Sequence, residues 1–166
     1  MGPSRKGPRI LIAGLGNILL RDDGVGVHAI RELQKAPPPG ARVVEVGTAV
    51  LDALHLFRWA DRVLAFDAMQ AGGPPGTFYS CPVFETEGPT PLASLHELDL
   101  WAALRFLPDR KRPEIMILGV EPKIIDFGLE LTPEVQAALP QLVGVSKQIL
   151  AQWGLFPPTY NRTSRC

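Results

Sequence analysis

The sequence predicts an α/β fold: a three-layer, twisted and mostly parallel sheet with helices on both faces and one antiparallel edge strand. Continuous apolar runs, typical of strands buried on both faces, recur along the chain. Amphipathic segments of helical period separate these runs, and such strand–helix–strand alternation favours parallel strands joined by right-handed crossovers. Glycine (16 residues) and proline (17 residues) exceed their average shares, which indicates many turns.

The elements follow in order from residue 9. Apolar runs predict buried strands at 9–15, 41–46, 62–67 and 114–120, and an alternating segment, 77–83, predicts the exposed edge strand. Apolar residues at helical spacing predict helices at 23–33, 49–60 and 95–107. Asp22 and Asp23 stand where an N-cap belongs before the first of these helices, and residues 37–40 (Pro-Pro-Pro-Gly) end it. Loops are predicted at 71–76 and 84–93.

The last predicted helix begins with Thr132 as its cap and Pro133 in its first turn, and Pro140 predicts a kink within it. The 166 residues suit a single domain, 1–166, with flexible tails at 1–8 and 157–166.

The composition excludes several classes of protein. Seventeen basic and seventeen acidic residues give no net charge, so bulk charge attracts neither nucleic acid nor an anionic membrane. No apolar run is long enough to span a bilayer, and the basic start of the chain leads into a strand pattern rather than a signal peptide. Cys81 and Cys166 form no metal-type cluster. A reduced, cytoplasmic protein is therefore expected.

Polar side chains follow each predicted parallel strand, at the edge where ligands bind in such sheets. They are Asn17, Asp22, Asp23, Glu45, Thr48, Asp67, Gln70, Glu121 and Asp126, and the segment before the third helix adds Ser94, His96, Glu97 and Asp99.

One interpretation of this edge is a metal site. Asp23, Asp67 and His96 come from three segments that reach the same end of the predicted sheet. Two carboxylates and one imidazole suit nickel, zinc or iron, with positions left open. The spacing is dispersed and lacks the compactness of specific metal motifs. His28 and His55 lie in predicted helices, where packing or surface roles are favoured.

A second interpretation is a dinucleotide site. Gly14 and Gly16 lie between a strand and a helix, and Glu45, at the end of the second strand, has a place to bind a ribose. Leu19 occupies the position of the third glycine, however, and two acidic residues follow it. Negative charge at the helix N-terminus opposes pyrophosphate binding, so this alternative is the weaker.

Four segments, in order, resemble the [NiFe]-hydrogenase maturation endopeptidases. Gly14-Leu-Gly-Asn-Ile-Leu-Leu-Arg-Asp-Asp-Gly-Val-Gly26 resembles the family's N-terminal signature. The others are residues 61–68 with 75–77 beyond them, Ser94-Leu-His96, and Gly119-Val-Glu-Pro122 followed by Leu131-Thr-Pro133. The resemblance extends over roughly residues 9–150, and the ordered set is more specific than any one segment.

The resemblance implies a function and a site. It implies that Asp23, Asp67 and His96 contact a metal and form the catalytic site, and that the reaction removes a C-terminal extension from a hydrogenase large-subunit precursor. The nickel is expected to be carried by that precursor. Asp22 is a candidate general base. The alternatives left open are a nickel-binding escort of the same precursor, without enzymatic activity, and the dinucleotide-binding oxidoreductase. A monomer is expected.

Overall fold

The computed structural model describes residues 7–83 and 96–155, the side chains of residues 97 and 98 excepted. The strands are β1 (Ile10–Leu15), β2 (Ala41–Gly47), β3 (Arg62–Ala68), β4 (Phe78–Val83) and β5 (Glu114–Val120). The α-helices are α1 (Val25–Gln34), α2 (Leu54–Trp59), α3 (Glu97–Leu104) and α4 (Pro133–Gln152). Short 3-10 helices span Arg21–Gly24 and Asp109–Lys111.

The strands form one sheet in the order β2–β1–β3–β5–β4. Four of them are parallel, and β4 pairs antiparallel with β5 at one edge, as predicted. The carboxyl ends of β1, β2, β3 and β5 therefore meet along one side of the sheet, here called the carboxyl edge. The loops that follow these strands bring their polar side chains together there.

Helices cover both faces of the sheet, which confirms the three-layer prediction. Apolar side chains of α1 and α4 pack on one face, and those of α2 and α3 pack on the other. The inner strand β1 supplies both clusters: Ile10 and Ile12 point to the first face, and Leu11 and Ala13 to the second. A strand buried on both faces reads as a continuous apolar run, and this is why β1 is evident in the sequence.

Helix α1 lies unusually close to the sheet because its second residue is glycine. A Cβ atom on Gly26 would collide with the carbonyl oxygens of Phe66 in β3 and Leu15 in β1. No other residue fits this contact. The close approach fixes the start of α1, and with it the preceding turn that contains Asp23, against the carboxyl edge.

The start of α1 corrects one prediction. Asp22 and Asp23 do not cap the helix: Gly24 occupies the cap position and no side chain caps it. Both aspartates belong to the preceding 3-10 helix, and their carboxylates are used elsewhere. Thr132 does occupy the cap position of α4, but its hydroxyl does not cap that helix either.

Other bounds differ from the predictions in length. Helix α2 begins at Leu54 rather than residue 49, since turns occupy the segment before it. Helix α4 is one helix that includes Pro140. The predicted loop 84–93, Cys166 and the predicted tails, apart from Gly7 and Pro8, lie outside the described residues. Within those residues, no helix combines the length and the apolarity needed to cross a membrane.

Candidate active site

Asp23 is held in place by the turn that follows β1. The backbone N–H of Asn17 donates a 2.8 Å hydrogen bond to Asp23 Oδ2. Gly16, with φ of 111°, lets the chain pass so close that a Cβ atom there would collide with the carbonyl oxygen of Asp23. The side chain of Asn17 closes the turn by accepting from the N–H of Leu19 at 2.9 Å. The Asp23 carboxylate is thus fixed, with the residue only 4% exposed.

Asp67 lies at the end of β3 and is fully buried. Its Oδ1 accepts from the N–H of Ala68 at 2.9 Å and lies 2.8 Å from His96 Nδ1. Its Oδ2 accepts from the backbone N–H of His96 at 3.1 Å. The carboxylate therefore fixes both the main chain and the ring of His96.

His96 stands between the two aspartates, at the cap position of α3. Its Nδ1 faces Asp67, and its Nε2 lies 3.6 Å from Asp23 Oδ2, longer than a hydrogen bond. The His96 side chain is 12% exposed and that of Asp23 is 6% exposed. The structure thus brings together the three residues that the sequence selected, one each from the β1 loop, β3 and the start of α3.

The surroundings shift two of these groups. Burial alone lowers the pKa of the His96 imidazole, but the hydrogen bond and charge of Asp67, with the charges of Asp23 and Asp99, raise that pKa above its ordinary value. Burial raises the pKa of the Asp23 carboxyl, and the Asn17 hydrogen bond and the His96 charge offset this only in part. Both shifts favour the protonated form of the group, the imidazolium of His96 and the neutral carboxyl of Asp23.

Carboxylate oxygens and an imidazole nitrogen are suitable ligands for nickel. Among the described residues, however, no group of three or more His, Cys, Asp or Glu side chains is arranged to hold a metal ion by itself. Asp67, the innermost of the three, is engaged with His96 and Ala68. The outer pair, Asp23 and His96 Nε2, is the part that a ligand reaches first.

Comparisons with known proteins agree on one family. Residues 27–149 match the family model described as HycI, hydrogenase maturation protease. HupD of Bradyrhizobium diazoefficiens, described as a hydrogenase expression/formation protein, is 31% identical, and the match covers 93% of this chain and 84% of that protein. The chain belongs to the hydrogenase maturation protease family.

Solved structures of hydrogenase maturation proteases have the same fold. HybD of Escherichia coli, described as a hydrogenase maturating endopeptidase, superimposes with a TM-score of 0.76 at 27% identity, covering 88% of this chain and 94% of that one. HybD of Thermococcus kodakarensis gives 0.72 at 30% identity, covering 85% and 98%. Asp67 and His96 fall within the residues matched by the family model, and Asp23 precedes them.

Asp22, the candidate base, is fully engaged in hydrogen bonds to the β5–α4 connection. Its fully buried carboxylate accepts from the N–H groups of Lys123, Ile124 and Thr132, at 2.9, 3.0 and 2.7 Å. The hydroxyl of Thr132 donates a fourth bond at 2.8 Å, which explains why it does not cap α4. Four donors occupy the oxygen atoms, so Asp22 joins the β1 loop to the β5–α4 connection.

Other polar residues at the carboxyl edge also stabilise loops. Glu121 accepts from the N–H of Ala71 at 2.8 Å and from the hydroxyl of Tyr79 at 2.9 Å, so it fixes the loop after β3. Glu45, the residue proposed to bind a ribose, instead pairs with Arg31 through two bonds of 3.0 and 3.1 Å. With this pairing and the family match, the oxidoreductase alternative is wrong.

The packing and surface roles predicted for His28 and His55 are confirmed, whereas the exposed apolar residues at 124–129 were not predicted. His55 is exposed on α2, and His28 is partly buried on α1, neither at the site. The apolar residues in the β5–α4 connection, several of which are exposed, had no predicted role. Their signal in the sequence is the clustering of large apolar residues at 124–129, in a segment with neither strand nor helix periodicity.

Proposed function

We propose that this protease removes the C-terminal extension of a [NiFe]-hydrogenase large-subunit precursor whose nickel is already in place. Family membership supports the protease activity. The observation that carries the proposal further is the placement of His96 between Asp23 and Asp67 at the carboxyl edge, with Nε2 and the Asp23 carboxylate outermost. In this proposal the nickel is part of the substrate, and the protein contributes residues that recognise it.

Asp23, Asp67 and His96 have different parts in this proposal. Asp67 holds the imidazole by Nδ1, so that in the neutral ring Nε2 carries the lone pair that a metal requires. Asp23 and His96 Nε2 contact the nickel of the precursor, and Asp67, bonded to Nδ1 on the opposite side of the ring, positions His96 for that contact. This recognition places the scissile peptide in register, which alone lowers an activation barrier by several kcal/mol. A bound metal ion also supplies positive charge that polarises a carbonyl group or activates water.

The side chains proposed to contact the metal are nearly buried, with His96 12% and Asp23 6% exposed, which suits an ion that arrives with its own ligands. A precursor-held nickel needs only the positions left open on it, and one carboxylate with one imidazole can fill them. The cytoplasmic location and the monomeric state expected from the sequence remain predictions.

The test is the processing of nickel-loaded precursor by Asp23→Ala, Asp67→Ala and His96→Ala, followed by intact-mass spectrometry of the large subunit. We expect loss of cleavage in all three variants. Asp109→Ala and His55→Ala serve as controls, since both side chains are exposed and distant from the site in the chain. Normal processing by all three site variants contradicts the assignment.

Two further outcomes separate the alternatives. A stable complex between the wild-type protein and the precursor, with no change in precursor mass, supports the escort function instead. Equal cleavage of nickel-free and nickel-loaded precursor contradicts recognition through nickel, while leaving the protease activity intact.

A further inference from the structure

A group of exposed apolar side chains borders the candidate site. Seven large hydrophobic residues are exposed in the described part of the chain, and five of them lie in only two segments, the β1 loop and the β5–α4 connection. We call these five the apolar rim: Leu19, Ile124, Ile125, Phe127 and Leu129, with Phe127 the most exposed at 81%. Clustered exposed apolar residues mark binding surfaces, whereas isolated ones do not.

The two segments of the rim are joined by their backbones. The N–H of Arg21 donates to the carbonyl of Gly128 at 2.9 Å, and the N–H of Gly128 donates to the carbonyl of Leu19 at 2.9 Å. The buried carboxylate of Asp22 accepts from the N–H groups of Lys123 and Ile124. The apolar side chains therefore project from a fixed backbone. Because that backbone is already ordered, binding of a partner to the rim costs little conformational entropy in this protein.

Most charged side chains beside the rim are paired, the exposed Glu130 next to Leu129 excepted. Arg21 binds Asp126 at 2.8 Å, and Lys123 binds Glu134. Arg21 also packs against Gly128, where a Cβ atom would meet its guanidinium. A charged ligand finds no free charge among these four side chains, so the surface favours an apolar partner.

The rim is joined to the site by the β1 loop, where Asn17 donates its N–H to the Asp23 carboxylate and accepts from the N–H of the rim residue Leu19. Asp22, which holds the β5–α4 connection, directly precedes Asp23, which faces His96 Nε2 at 3.6 Å. We expect a polypeptide that presents its metal to Asp23 and His96 to extend over the neighbouring β1 loop. A peptide bond positioned at the site therefore brings the neighbouring part of its own protein against the rim.

We infer that the apolar rim binds an apolar surface of the precursor next to its scissile segment, and so contributes affinity for the folded substrate. This inference rests on the proposed function, since the precursor is its occupant. It adds a second contact to that function: nickel is recognised by the acidic and imidazole groups, and the polypeptide is recognised by the rim. Large aromatic side chains such as Phe127 are typical energetic centres of protein interfaces.

The test compares Phe127→Ser and Leu129→Ser with the wild-type protein. Equilibrium binding of nickel-loaded precursor is measured by biolayer interferometry, and cleavage is followed by intact-mass kinetics. Phe106→Ser is the matched control, because Phe106 is 72% exposed but follows α3 on the other face of the sheet. Circular dichroism melting confirms that each variant is folded.

We expect the Kd and the KM for the precursor to rise about tenfold or more in Phe127→Ser, the loss that corresponds to one buried aromatic side chain. The kcat at saturating precursor stays within about twofold, since Asp23, Asp67 and His96 are unchanged. Wild-type Kd and KM in both rim variants overturn the inference. An equal loss in Phe106→Ser also overturns it, because the effect is then not particular to the rim.

The outcomes also separate this inference from the proposed function. If the wild-type protein binds the precursor but does not cleave it, the proposed function fails while the binding data still test the rim. If the wild-type protein sediments as a dimer and Phe127→Ser sediments as a monomer, the occupant is a second copy of this chain and the inference is overturned.

Discussion

A single carboxylate, that of Asp67, holds His96 twice, once at the ring and once at the main chain. Oδ1 lies 2.8 Å from Nδ1, and Oδ2 accepts from the backbone N–H at 3.1 Å. The first contact fixes the orientation and tautomer of the imidazole, and the second fixes where α3 begins. Asp67 belongs to the buried strand β3. The strand therefore fixes the position of the His96 imidazole through this carboxylate.

The first prediction concerns this double contact. Asp67→Asn keeps the size of the side chain, but its amide nitrogen cannot accept either of the two hydrogen bonds, so one of them is lost. We expect kcat for precursor cleavage to fall by about 100-fold or more, the usual result of a misoriented catalytic group. The readout specific to orientation is ¹⁵N NMR of the His96 ring, which shows the Nδ1–H tautomer in the wild-type protein and a mixture in the variant. An unchanged tautomer and rate contradict the prediction.

The second prediction concerns Asp22. Asp22→Ala leaves four donors without their acceptor, two of them fully buried, and we expect the free energy of unfolding to fall by about 3 kcal/mol or more. Asp22→Asn retains an oxygen for the three donors on Oδ2, so a loss of about 1–2 kcal/mol is expected. Urea denaturation measures both, with the exposed Asp126→Asn as a control near zero. A large loss of kcat in stable Asp22→Asn would instead support a role as a base.

The third prediction compares two helical glycines. Gly26→Ala places a methyl group against the carbonyl oxygens of Phe66 and Leu15, so α1 must move away from the sheet. We expect a loss of about 2–3 kcal/mol in the free energy of unfolding, typical of overpacking. Gly144→Ala, in α4, meets nothing within 4 Å and should stabilise the protein by about 0.5–1 kcal/mol through helix propensity. Equal effects of the two substitutions in thermal melts would contradict the close-packing explanation.

The mostly parallel sheet with its antiparallel edge strand and the meeting of Asp23, Asp67 and His96 were accessible from the sequence, because strands buried on both faces read as continuous apolar runs. Parallel strands then place their following loops at one edge, so residues distant in sequence come together. Residue roles at that edge were less accessible. Asp22 and Asp23 are adjacent and chemically identical, yet one stabilises a loop and the other faces His96.

That difference depends on long-range contacts. The partners of Asp22 lie about 100 residues further along the chain, and no local pattern reports them. The same holds for Glu45, whose pairing with Arg31 depends on how α1 lies against β2. The apolar rim could have been noticed as misplaced hydrophobicity at 124–129, but its junction with Leu19 needed the backbone bonds through Gly128.

The fourth prediction concerns His28 and the dependence of stability on pH. The Nε2 atom of His28 is buried without a hydrogen-bond partner. Burial lowers the pKa of this imidazole, and the charge of Arg31 lowers it further, while a backbone hydrogen bond with Leu129 and the charges of Glu45 and Glu32 act in the opposite direction. Since the folded pKa lies below the unfolded value of about 6.5, the unfolded chain binds the proton more readily. The stability contribution is fully present above pH 6.5 and is lost as the pH falls through that value toward the folded pKa.

His28→Leu removes the titrating imidazole and replaces it with an apolar side chain in α1. We expect the wild-type protein to lose more free energy of unfolding than His28→Leu between pH 7.5 and pH 5, measured by urea denaturation at each pH. Subtracting the two curves cancels the other titrating groups, including the site residues. The difference in the free energy of unfolding between the two proteins should be constant above about pH 7.5. It should change as the pH falls below that value, mainly on the acidic side of about 6.5. A difference that is flat throughout, or that grows toward alkaline pH, contradicts the burial of a neutral imidazole.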